Sequence, residues 1–364
     1  LLLPHGRIDI AGTWGKTREV RLAFDKVDLA LADYVGGRLG LGGTLSGAAS
    51  LRLIAGAPLP QGEANLRIDG MTRSGLTGLS SPVDLAIAAQ STGDGLALGA
   101  RVSWHGNDLG RVVARVAPGP GDDMAERFFA GRLSGGVRYN GPVEPLWALV
   151  GAEGQELKGP VVLAADFAGT VAAPQLAGVA RGQGMLYRNG QFGTTLSEIG
   201  FDGRFDGPLL RLSNFSAKAG GGRLTGGGEV NLAPGDARRV ALALQLDHAR
   251  LADSDLVQVT LTGPLRLDGA GADLKLSGDL RIESARVRIV QMQTAEVPTL
   301  KVRRAGEISV PPPPSTSLAD IALEVRVRAD DRIRVEGMGL DSLWRAAIRV
   351  RGTAAAPMIF GQAT

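Results

Sequence analysis

Cysteine is absent from this 364-residue sequence. That excludes a disulfide frame, a thiol nucleophile and a thiolate metal site, and it suits an oxidising compartment where stray thiols are a liability. Histidine is nearly absent: His5, His105 and His248 stand far apart, and neither a HExxH-like pair nor a Cys/His cluster occurs to hold a metal. Aromatic residues make up 4% of the chain. They are too few, and too far from Arg, for a base-stacking nucleic-acid surface. Three Tyr and four Trp cannot supply the two aromatic girdles of an outer-membrane barrel. No apolar run approaches the ~20 residues that span a bilayer. Neither sign of charge dominates, since 40 Lys and Arg against 37 Asp and Glu leave a formal +3.

Catalytic signatures are missing too. Gly15-Lys16-Thr17 has the form of the end of a phosphate-binding loop, but Ile10 stands where the first Gly must be. Gly43-Thr44-Leu45-Ser46-Gly47 places its Ser one residue late for a nucleophile elbow. The acidic pairs Asp122-Asp123 and Asp330-Asp331 fit a helix start and a strand turn. The expectation is a chain that is not an enzyme and takes no cofactor or metal.

What the chain has in excess is glycine, 53 residues, with 19 proline. Glycine lacks a three-residue period, which excludes collagen, and 44% apolar residues in clean alternation exclude disorder. Val20, Leu22 and Phe24 alternate, then Val27, Leu29 and Leu31 follow after a one-residue shift at Asp25-Lys26. Val83, Leu85 and Ile87, then Leu242, Leu244 and Leu246, then Ile321, Leu323, Val325 and Val327 continue the pattern. Period two means one apolar and one polar face per strand, as in antiparallel sheet with one wet side. Gly42-Gly43, Gly93-Asp94-Gly95 and Gly220-Gly221-Gly222 mark turns. Asp122–Ala130 and Pro145–Val150 are the predicted helices. Pro311–Pro314 reads as a rigid extended linker.

Aliphatic faces, many strands and few covering helices predict an all-β fold, an elongated sheet curled on itself into a rod with an aliphatic lining. Glycine would permit the curvature. Roughly 25 strands at ~4.8 Å would make a rod on the order of 100 Å long. Residues 281–351 carry 13 Lys and Arg against 9 Asp and Glu. A solvated sheet face accounts for that excess, and attraction to anionic headgroups is the alternative. The chain opens in mid-pattern at Leu1-Leu2-Leu3-Pro4 without an initiator Met, so a fragment of a longer protein is expected, with its anchor elsewhere.

One ten-residue pattern occurs twice: GTVAAPQLAG at 169–178 and GTAAAPMIFG at 352–361. Each copy follows an alternating run, so each predicts a strand end, a Pro-punctuated turn and a new strand. A long-period repeat of this kind points to an extended β architecture.

The stretch Ile321–Gly361 resembles the conserved region of the TamB family, the large inner-membrane-anchored subunit of the translocation and assembly module. The pieces are the strand to Val327, Asp331-Arg332-Ile333, Val335-Glu336-Gly337-Met338-Gly339-Leu340-Asp341 and the closing GTAAAP. Val143–Pro234 is similar to the family as well, whereas residues 1–140 match in style alone. The chain therefore divides into a β-rich segment, 1–140, and a TamB-like curled-sheet (taco) segment, 141–364. The resemblance implies a periplasmic, inner-membrane-anchored bridge that moves phospholipid between the two membranes and works with an outer-membrane barrel of the TamA/Omp85 type. The groove lining expected on that basis is Leu22, Phe24, Leu85, Ile87, Phe167, Leu244, Leu246, Ile289, Leu323, Val325 and Val335. The alternatives are a chaperone or scaffold for outer-membrane β-protein assembly, templating strands at sheet edges, and a structural β-solenoid.

Overall fold

The computed structural model describes residues 6–364 apart from 14, 16–17, 32–40, 55, 76–77, 80–81, 151–154, 191, 234–238, 271–272, 290–320 and 355. His5, Lys16-Thr17 and Pro311–Pro314 lie outside the described residues. The first part of the chain forms β1 (Arg7–Thr13), β2 (Arg18–Asp28), β3 (Leu41–Leu53), β4 (Gln61–Gly75), β5 (Gly78–Leu79), β6 (Val83–Thr92), β7 (Leu96–Trp104) and β8 (Asn107–Ala117). Helix α1 (Met124–Phe129), β9 (Arg132–Pro142), helix α2 (Glu144–Val150), β10 (Gln155–Lys158), β11 (Pro160–Gly169) and β12 (Pro174–Asn189) follow. Then come β13 (Thr194–Gly207), β14 (Leu209–Ala219), β15 (Gly222–Asn231), β16 (Arg239–Asp253), β17 (Val257–Ala270), β18 (Asp273–Arg288), β19 (Ala322–Gly337), β20 (Leu340–Gly352) and β21 (Pro357–Ala363).

The strands pair in chain order and antiparallel, so one long ladder grows by hairpins. Two short strands stand aside from the sequence of steps. β5 is the two-residue arm of a hairpin on β4, and β10 shares an edge of β12 with β11. One step differs in direction: β18 and β19 are parallel. β1 and β21 do not pair with each other among the described residues, so the sheet stays open. Nineteen strands in line give the ladder a length of about 85 Å. Among the described residues there are 21 strands, and several are long; β12, β18 and β19 have 16 residues each.

Local chemistry explains the helices. The Asp123 carboxylate accepts the Glu126 N–H at 2.8 Å, and the Glu126 carboxylate accepts the Asp122 N–H at 2.8 Å. This reciprocal cap satisfies donors that the first turn leaves open. Leu29–Leu31, expected as strand, is a 3-10 turn. The Asp28 carboxylate accepts the Ala30 N–H at 2.9 Å and ends β2 there.

Curvature comes from bulges. Lys26, Glu198, Asn214, His248 and Asp331 have φ of 47, 49, 52, 50 and 50°. Each sits where its strand's pairing slips. An extra residue in left-handed conformation bends a strand and raises its twist. The shift expected at Asp25-Lys26 is therefore a bulge. Asp330-Asp331, expected at a strand turn, lies inside β19 at another bulge. These bends rest on non-glycine residues, so glycine is not the sole source of curvature.

Glycine matters most in the repeated pattern. Gly169 and Gly352 have φ of 84 and 86°. A Cβ on them would lie 2.7 Å from the Ala173 carbonyl oxygen and 2.5 Å from that of Ala356. Pro174 then pairs with Gly169, and Pro357 with Gly352, as the first residues of β12 and β21. Both copies are the predicted strand, turn and strand.

Candidate functional site: an apolar trough

Alternation places Leu and Val on one face of every strand, but register decides which of them become neighbours. Following the pairs across the ladder, Phe24, Gly47, Leu66, Ile87, Ala100, Val112, Val137 and Ala165 stand side by side. The same row continues through Gly178, Phe205, Leu210, Val230, Val240, Gly269 and Leu274. It crosses from β2 to β18, about 65 Å along the ladder, without one polar side chain. A second row holds Val27, Leu45, Ile68, Leu85, Val102, Gly110, Tyr139 and Leu163. That row continues to Leu212, Leu242, Leu267, Leu276 and Leu323. These rows line the inner face. None of the buried residues described is polar or charged.

The expected lining residues fall on this face in different states. Phe24 and Ile87 share the first row, and Leu85 and Leu323 the second. Leu22 and Phe167 are joined by a third row of Ala49, Ala64, Ala89, Leu98, Ala114 and Gly135. Leu244 reaches Val325 through Leu265 and Gly278. Val335 lies between Val287 and Ser342. Eight of the eleven are half-buried, while Leu246 and Val325 are 0% and 8% exposed. Ile289 follows the end of β18, 41% exposed, with its N–H donating to the Glu336 carbonyl at 2.7 Å.

Two features close the trough over its middle. Val143 is buried, and Leu146 of α2 packs on the inner cluster that contains Leu109, Tyr139, Val161 and Met185. The Trp147 indole N–H donates to the Gln155 carbonyl at 3.3 Å, and its ring meets Tyr187 edge-on at 6.4 Å. α2 also touches β4, although β6, β7 and β8 lie between β4 and β9 in the ladder. The helix therefore bridges two walls. Farther on, the β14–β15 hairpin ends at Gly220-Gly221, and β13 and β16 meet beyond it. The Thr194 hydroxyl donates to the Leu251 carbonyl at 2.5 Å, and the Asp253 N–H to the Phe192 carbonyl at 3.2 Å. Around this stitch Ala219, Leu246 and Ala249 are wholly buried.

On the strands, ion pairs lie on the outer face. Arg138 and Asp166 pair at 2.6 Å, Lys218 and Glu198 at 2.6 Å, and Arg334 and Asp341 at 2.7 Å, all exposed. Arg21 holds the Glu19 carboxyl below its usual range, and Arg334 does the same for Asp341. Inside, burial pushes the Tyr139 phenol up to about 12, with the Glu144 carboxylate adding to the effect. Its hydroxyl donates to the Pro142 carbonyl at 2.5 Å. The Trp104 indole N–H is buried without an acceptor. Among the described residues no group of three His, Asp or Glu could hold a metal ion. His105 sits in the β7–β8 turn against Trp104, and His248 in the β16 bulge beside Asp247.

Sequence reasoning missed α2 as a bridge and the Tyr139 and Met185 side chains of the cluster it packs on. The helix itself was legible from Pro145 onward, but its target depends on β4 coming round the curl.

No helix among the described residues is long and apolar enough to cross a membrane. Comparison with curated proteins and with solved structures finds no match. The model of the TamB C-terminal domain family matches residues 213–364, from within β14 to β21. That family belongs to the translocation and assembly module and to outer-membrane biogenesis. An open, curled, all-β ladder and a match over its C-terminal strands agree, and residues 213–364 are similar to the TamB C-terminal domain.

Proposed function

We propose that this chain is a non-enzymatic conduit segment that carries phospholipid along its apolar trough, in the periplasm, between an inner-membrane anchor and an outer-membrane barrel partner of the TamA/Omp85 type. The observation that carries the reading is the row from Phe24 to Leu274, uninterrupted by any polar side chain. Acyl chains laid in such a row gain about 0.8 kcal/mol per buried methylene. Leu, Val, Ile, Phe and Ala follow one another along it, with Gly at three positions, and no polar group marks a stopping point. A chain can therefore slide, while its headgroup stays at the wet rim. Half-buried Leu85 and Ile87 leave room for a guest that the packed Leu246 does not.

The test is mass spectrometry of organic extracts from detergent-free protein. The expected result is phospholipid at or above one equivalent, lost in Ile87→Arg and in Leu244→Arg while circular dichroism stays unchanged. A lipid-free, monodisperse and stable wild type would sink the proposal.

A further inference from the structure

The outer face of β19, β20 and β21 sets arginines beside exposed apolar side chains. Arg326 and Arg349 stand directly opposite each other, and Phe360 is the next partner in the same row. Arg351 faces Met358 one row away, and Arg328 is two residues along from Arg326. Val325, Val327, Ile348 and Val350 take the inner positions between them, so the arginines point away from the trough. Arg326, Arg328, Arg349, Arg351 and Phe360 line one open concavity of about 450 Å³.

Charge in this patch is only partly balanced from within. Asp279 lies 3.5 Å from Arg326, and Glu324 is engaged by Lys275 and also attracts Arg351. Arg328, Arg349 and Arg351 make no ion pair within hydrogen-bonding reach among the described residues. Like charges directly opposite on a sheet destabilise it, so a ligand of negative charge would relieve a cost that the chain leaves standing. The same face exposes large apolar side chains: Leu343 at 65%, Met358 at 53% and Phe360 at 52%. Arginine interleaved with exposed apolar residues is the pattern of a surface that lies on a charged membrane interface, where apolar tips enter the headgroup layer and cations meet phosphate.

We infer that this outer face docks the chain on an anionic phospholipid surface, with Arg328, Arg349 and Arg351 meeting lipid phosphates and Phe360 and Met358 inserting beside them. The docking uses the face opposite the trough and does not depend on the trough carrying lipid.

Co-flotation of the full 364-residue chain with phosphatidylcholine vesicles, with and without phosphatidylglycerol, tests it. The chain should float with the anionic vesicles, remain behind with the neutral ones, and detach as salt rises. Each of Arg328→Gln, Arg349→Gln and Arg351→Gln should weaken partitioning about fivefold, and the triple variant on the order of 100-fold. Phe360→Ser should weaken it too. Arg111→Gln, on the same face but outside the patch, should leave it unchanged, which separates the patch from net charge. Ile87→Arg in the trough should also leave docking intact, so the two proposals can fail separately. Equal flotation with neutral vesicles, full binding by a folded triple variant, or binding to heparin without binding to vesicles would each overturn the inference.

Discussion

Thr170 and Thr353 hold the same place in two hairpins that lie far apart in the chain. Thr170 bridges Arg132, the first residue of β9, and Thr353 bridges Ala322, the first residue of β19. Each hydroxyl accepts the N–H three residues on, Ala173 at 3.1 Å and Ala356 at 3.2 Å. The next N–H reaches across in both cases, from Val171 to the Gly131 carbonyl and from Ala354 to the Ile321 carbonyl. The repeat is thus a turn that fastens three strands at their ends, and its residue types follow from that duty.

Substitution at the turn glycines should have the same effect in both copies. Gly169→Ala and Gly352→Ala put a Cβ on a left-handed backbone and against a carbonyl oxygen. Each should lower stability by about 1–2 kcal/mol in urea denaturation. Thr170→Val and Thr353→Val should each cost about 1 kcal/mol, the worth of one hydrogen bond. Unequal losses would mean that the two turns are not equivalent.

Leu246 and Leu85 should answer differently to truncation. Leu246 is wholly buried beside the stitched rim, and Leu246→Ala should cost about 2–5 kcal/mol through the cavity it leaves. Leu85 is half-buried on an inner row, so Leu85→Ala should cost less than half as much. Denaturant midpoints of the two variants decide it, and equal losses would mean that the trough is packed as tightly at β6 as at β16.

The bulges store a small strain that glycine can release. Lys26 has φ 47° and no ion-pair partner among the described residues, while its N–H donates to the Ser46 hydroxyl at 3.2 Å. Lys26→Gly keeps that bond and should raise stability by up to about 1 kcal/mol. A thermal shift upward, with an unchanged circular dichroism spectrum, is the expected reading; a clear loss would mean that the Lys26 stem packs on the sheet.

Tyr139 sets an alkaline limit. Its phenol titrates near 10 in an unfolded chain and is pushed up to about 12 by burial in the fold. Below about 10 both states keep the proton and stability is unaffected. Between about 10 and 12 the unfolded chain gives it up first, so stability falls as pH rises. Tyr139→Phe should remove that part of the decline, measured as denaturation midpoint against pH for both proteins.

Much of the trough was legible because a period of two leaves no freedom: Leu242, Leu244 and Leu246 must share a face whichever strand lies beside them. The break at Asp25-Lys26 was legible for the same reason, since an extra residue disturbs the alternation. Asp330-Asp331 was harder. Three outward residues between Ala329 and Ile333 preserve the odd-numbered pattern, so the bulge leaves no trace in it. Leu29 and Leu31 kept the period, yet the Asp28 cap ended the strand first. Ile289 was expected in the groove lining, but β18 ends at Arg288.

The sequence by itself determined that this is an aliphatic, all-β chain with two Pro-punctuated turns. Alternation, turn glycines and capping act over a few residues, and the energies that reward them are local. Only the tertiary structure decided which side chains became neighbours along the rows, that β18 and β19 run parallel, that α2 bridges to β4, and that Arg328, Arg349 and Arg351 gather on one outer face. Those outcomes depend on register and curl, which bring together residues that no local pattern relates.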